Sequence, residues 1–144
     1  MSLLRMDNVG VVVEDLEAAV AFFLELGMEL EGKGQVEGRW VDSVIGLDDV
    51  RVDVAMVRTP DGHNKLELSR FRNPSAISTG PSGPANALGV RRLMFAVDDI
   101  EDTLARLRTH GAELIGELTR LDGWLMCYLR GPEGIIVALT EQTS

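Results

Sequence analysis

The chain has 144 residues, of which 45% are hydrophobic, enough to bury the core of a single domain spanning 1–144. Its net charge of −9 opposes binding to the phosphate backbone of nucleic acids. Its apolar runs are broken by charges well before the roughly 20 residues that a bilayer span needs, and the start has no basic-then-apolar leader pattern, so a cytoplasmic protein is expected.

In chain order, the first element is an apolar, β-branched run from Val9 to Val13, read as a strand. The acidic pair Glu14-Asp15 follows, suited to capping a helix and favouring its positive end. Leu16, Ala19, Val20, Phe23 and Leu26 then recur at helical spacing, and Gly27 is placed to close that helix. Strands are predicted over roughly Glu29–Gly34, Val50–Val57 and Asn64–Phe71, with a short helix or loop at Trp40–Leu47. The turn Thr59-Pro-Asp-Gly62 precedes the last of these strands. From Arg72 to Leu88 the composition shifts to Asn, Pro, Ser, Gly and Ala, which reads as a linker.

The pattern then starts again. Val9–Leu30 superimposes on Leu93–Leu114 at a constant offset of 84 residues, placing VGVVVEDLEAAVAFFLELGMEL over LMFAVDDIEDTLARLRTHGAEL. The second copy has its strand at Leu93–Val97 and its acidic pair at Asp98-Asp99. Its helical stripe is Ile100, Leu104 and Leu107, and its stop is Gly111. Strands are predicted at about Glu113–Leu118, Trp124–Arg130 and Ile135–Thr140, and Gly131-Pro-Glu-Gly134 precedes the last. The unit is βαβββ, read twice, an α+β fold with module one at about 5–71, linker at about 72–88 and module two at about 89–141. Cys127, the single cysteine, lies in the alternating segment WLMCYL; a buried, reduced thiol is the plainer reading and a reactive nucleophile the rarer one.

The segments VGVVVEDLEAAVAFFLELGMELEG, LMFAVDDIEDTLARL and YLRGPEGIIVALTEQ together resemble the glyoxalase/bleomycin-resistance/extradiol dioxygenase (vicinal-oxygen-chelate) superfamily over essentially the whole chain. The resemblance implies curved mixed sheets paired around a ligand cavity with the helices outside, and commonly a homodimer. In catalytic members it also implies a divalent metal held by His, Gln or Glu, acting as a Lewis acid.

The family's metal positions fall here on Asn8, Glu67, Arg92 and Ala138. Only Glu67 is a good ligand, because guanidinium has no lone pair to donate, alanine has no donor atom and an amide oxygen binds divalent metal weakly. His63 cannot rescue the set along one strand, since four residues span roughly 13 Å. It reads as a turn residue, and His110 as a residue favoured at a helix end. No metal ligands and no cofactor are therefore assigned, although a weak site completed by water and a second chain's residue stays open.

Residues two apart share a strand face, so these positions define the cavity side. That face carries Met6, Asn8, Gly10 and Val12; Lys65, Glu67 and Ser69; and Val90, Arg92, Met94 and Ala96. Trp124, Met126 and Tyr128 share a face of another strand and form either an apolar wall of the cavity or plain core. Arg92, facing Glu67, is expected to replace the metal's charge and receive an anionic or carbonyl oxygen, with a structural salt bridge as the competing reading. Two functions follow. One is a metal-independent protein that binds a drug or metabolite, resembling the bleomycin-resistance members. The other is a glyoxalase-like lyase or isomerase, with Glu67 as general base and Arg92 as electrophile.

Overall fold

A computed structural model describes residues 2–78 and 83–143. The chain divides into two compact units, Met1–Ile77 and Ser78–Ser144. Among the described residues there are nine strands and three α-helices, arranged as two mixed sheets.

The first unit contains β1 (Val9–Val12), α1 (Leu16–Leu26), β2 (Glu29–Glu37), α2 (Arg39–Ile45), β3 (Arg51–Arg58) and β4 (Lys65–Asn73). Its sheet order is β1-β4-β3-β2, with β1 parallel to β4 and the other pairs antiparallel. Asp15 starts α1 by accepting a hydrogen bond from the Ala18 N–H at 3.0 Å. Gly27 ends it at φ +124°, a conformation that a side chain would strain. Phe22 and Phe23 meet edge to face, 5.2 Å between ring centroids, and α1 lies against the sheet face carrying Ala55, Val57, Leu66 and Leu68, all buried. The predicted assignment of alternate residues to the helix side is met here.

The second unit repeats the plan with β5 (Arg92–Ala96), α3 (Ile100–Arg108), β6 (Glu113–Leu114), β7 (Thr119–Leu121), β8 (Trp124–Arg130) and β9 (Ile136–Gln142). Its order is β5-β9-β8-β6, with β7 also on β8 and β5 parallel to β9. Asp99 caps α3 through the Asp102 N–H, matching Asp15 in the first copy. The duplication extends to single bonds: Val13 N–H donates to Ser69 O at 2.9 Å and Val97 N–H to Thr140 O at 2.8 Å.

Several expectations are corrected. Strand β2 runs on to Glu37 because its backbone pairs with β3 through Glu37↔Arg51, whatever its charged and glycine-rich side chains prefer. The strand predicted over Glu113–Leu118 is strand only at Glu113–Leu114, and a further short strand, not predicted, follows at Thr119–Leu121. Arg72 and Asn73 belong to β4 and not to a linker. Trp40–Leu47 resolves as the helix α2, whose Val41 packs with Val36, Val50, Val52, Val54 and Phe71. Helix α3 ends at Arg108 with Thr109 as its cap, and Gly111 takes its left-handed φ of +86° two residues later.

Cys127 is buried, and that burial raises its thiol pKa above the ordinary value of 9.0. The burial read from the alternation of WLMCYL is met. A raised folded-state pKa means that the native chain keeps its proton longer than the unfolded chain, so stability falls as pH rises through the unfolded thiol's range towards the folded value. Urea unfolding of the native sequence should show this alkaline decline, and Cys127→Ala should lose that part of it. Phe23→Ala, which empties a fully buried site, should cost about 3–5 kcal/mol in the same measurement.

Candidate functional site

Register places the chemistry. In the first sheet, Gly10, Glu67, Met56 and Gly32 stand in one row and Val12, Ser69, Val54 and Gly34 in the next, on the face turned away from α1. Glu67 is half-buried, Ser69 is buried and Val12 is exposed. Asn8 is exposed just before β1 begins. Lys65 shares the face by alternation, but its ammonium is held at 3.0 Å by Glu31, which also lies 3.6 Å from Arg58. It belongs to a rim of charges at one end of the strands.

In the second sheet, one face carries Arg92, Ile136 and Arg130 in one row, and Met94, Ala138 and Tyr128 in the next. Ala96, Thr140 and Met126 follow, then Gln142 beside Trp124. The five residues selected from this module, Arg92, Met94, Trp124, Met126 and Tyr128, are thus brought onto one face. The Arg92 guanidinium carbon stands 5.3 Å from the Tyr128 ring centroid, a cation–π distance. Met94 and Trp124 are exposed, while Met126 and Tyr128 are half-buried.

Sequence reasoning missed Arg130. It continues the alternation Trp124, Met126, Tyr128 by one step and lies on Arg92's row, so extending the pattern would have found it. Its guanidinium donates to Gly134 O at 2.9 Å and Gly83 O at 2.8 Å, so it braces loops. Arg92 is the cation that this row presents to solvent.

His63 is exposed in the turn before β4, its backbone N–H bound to Asp61 at 3.0 Å. Asp61 is held below the usual carboxylate range, first by the Thr59 hydroxyl and then by that N–H. His63 is a turn residue, and His110 is exposed just beyond α3.

The residues at the family's metal positions do not fit a metal. Asn8 offers a weak amide oxygen, Ala138 is fully buried with no donor atom, and Arg92 presents a protonated guanidinium over an aromatic ring. Among the described residues no three His, Cys, Asp or Glu side chains gather into a metal-holding group. No helix among them is long and apolar enough to cross a membrane.

Two βαβββ modules, each with parallel outer pairing and one helix on one sheet face, define a glyoxalase-like protein. The family model for the Glyoxalase/Bleomycin resistance protein/Dioxygenase superfamily matches residues 5–139, and the chain belongs to that superfamily. It is similar to a glyoxalase family protein from Bacillus cereus, with 48% identity and a TM-score of 0.96, covering 100% of this chain and 97% of that one. It is also 27% identical over 146 residues to the uncharacterized protein YaeR of Escherichia coli (strain K12), covering 99% of each. Glyoxalase I of Leishmania major shares the fold at 18% identity and a TM-score of 0.69, covering 96% of this chain and 87% of that one.

If Arg92 serves a ligand and not the fold, removing it should leave stability nearly unchanged. Arg92→Leu is expected to shift the unfolding free energy by no more than about 0.5 kcal/mol, as for an exposed surface residue. A loss of several kcal/mol in urea titration would make it a structural strut.

Proposed function

We propose that the chain is a small-molecule-binding member of its superfamily that recognises an oxyanion-bearing drug or metabolite without the usual divalent metal. What carries this reading is Arg92, a fixed positive charge standing where the family places a metal ligand, oriented by Tyr128, with Met94 in the adjoining row and Met126 and Trp124 further along the same face. A guanidinium offers paired donors to a carboxylate or to two neighbouring oxygens, and thioether and aromatic side chains suit an apolar body attached to them. The superfamily's habit supports a homodimer as the working assembly.

Aromatic and aliphatic carboxylates, screened by thermal unfolding, should include compounds that raise the melting temperature saturably, because binding to the native state stabilises it. Arg92→Leu should weaken such a compound by about 10- to 100-fold, the worth of a charge-assisted pair. Unchanged affinity would sink the assignment. Scans with Ni²⁺, Zn²⁺, Mn²⁺ and Fe²⁺ should give no saturable rise.

A second reading rests on the half-buried carboxylate of Glu67. Acting as a base beside a polarised carbonyl, it would exchange a ligand's α-hydrogen with solvent. Deuterium incorporation into a bound 2-oxo acid in D₂O, lost in Glu67→Gln, would establish a lyase or isomerase; binding without exchange leaves the carrier reading.

A further inference from the structure

The face of the first sheet that α1 covers is left uncovered beyond the helix's start. An open groove of about 730 Å³ lies there, between Glu14 and Glu17 at the head of α1 and Lys33, Asp53, Arg70 and Arg72 on the strands. Arg70, Asp53 and Gln35 stand abreast in one row, and alternation puts them on the face opposite Glu67. This groove is separate from the face that carries the candidate site.

Its charges are arranged unevenly. Both arginines turn to the same oxygen of Asp53: Arg72 Nε donates to Oδ2 at 2.8 Å, and Arg70 Nη1 lies 3.9 Å from it. Oδ1 is buried and receives no hydrogen bond, although the side chain as a whole is only 16% exposed. A buried carboxylate oxygen without a donor calls for one. The arginine side chains are about half exposed, at 47% and 53%, which leaves guanidinium N–H groups facing solvent, and Lys33 is exposed on the neighbouring strand.

The second module shows the same place closed. Thr140 is the counterpart of Ser69, each accepting from the last residue of the opening apolar run, so Glu141 stands where Arg70 stands and Leu125 where Asp53 stands. There Glu141 reaches the head of its helix and accepts from Ile100 N–H at 2.7 Å, beside an apolar neighbour. The first module has replaced that internal bond with opposed charges and an unmet acceptor.

We propose that this groove binds a small zwitterion of the amino-acid or dipeptide kind. Its ammonium is drawn to the carboxylates of Asp53, Glu14 and Glu17 that line the groove. Its carboxylate lies against Lys33, Arg70 and Arg72. A simple anion would meet the groove's carboxylates and a simple cation its arginines, whereas a molecule carrying both charges is matched at both ends. The volume lies within the roughly 300–1,000 Å³ of small-molecule sites and exceeds what a lone ion needs.

The test is an amide-resonance titration of the ¹⁵N-labelled protein with L-alanyl-L-alanine, its N-acetyl form and its C-terminal amide. Saturable shifts are expected at 33–35, 53–54 and 70–72, with each capped form weaker by about tenfold or more. Asp53→Asn and Arg72→Gln should reduce the affinity similarly, and Lys33→Gln, an exposed change that leaves the fold intact, should weaken it severalfold. Arg92→Leu should leave it unaltered. No saturable shift at millimolar dipeptide, equal binding of the capped forms, or shifts restricted to the opposite face would each overturn the proposal.

Discussion

In each module the long helix seals apolar side chains on one face of the sheet, and that burial fixes which residues stand on the other. Because side chains alternate along a strand, sealing one face decides the position of every residue on the other. Leu66 and Leu68 are buried under α1, and Glu67 between them must therefore turn away. A slip of one residue in β4 would drive Glu67 against Phe22 and Phe23, where an unpaired carboxylate is very costly. The aspartate caps at Asp15 and Asp99 matter for the same reason, since they fix where each helix starts over its sheet.

That constraint explains what could be read from the sequence. Duplication, helix starts and turn positions are local signals, and they located both modules. Alternation grouped Arg92 with Met94 and, on another strand, Trp124 with Met126 and Tyr128, while the pairing of β5, β9 and β8 is what puts the two groups on one face. Strand β2 was only half legible because ELEGKGQVE has neither alternation nor β-branched density, and its length is set by a partner strand met later in the chain. The ion pairs were illegible for a related reason. Lys65 with Glu31, and Arg72 with Asp53, are neighbours only once register is fixed, and Arg72 sits in a stretch whose composition reads as linker.

The substitutions at the metal positions change the kind of recognition available. A divalent ion accepts lone pairs from several directions and binds whatever oxygens reach it. A guanidinium donates hydrogen bonds in a plane, so it selects ligands by the direction of their oxygens as well as by charge. Tyr128 beneath Arg92 reinforces that selectivity by holding the plane, and neighbouring Arg130, occupied by two carbonyls, does not compete for the same anion. Such a site suits binding directly.

The two faces of the first sheet also obey different rules. On the face turned from α1, Lys65 and Arg58 are tied to Glu31 at one end of the strands, and Val36, Val52 and Phe71 pack with Val41 of α2 at the other. On the α1 side, the polar residues past the helix's head crowd together, and Asp53, which holds Arg72, is matched in the second module by the apolar Leu125. Duplicated modules begin with the same demands, so a place closed by Glu141 in one copy and left as an open, charged groove in the other has been freed from the needs of folding. Charged side chains that the fold does not require are costly to gather beside one buried oxygen. Their opposed signs are what a ligand carrying both charges would offset.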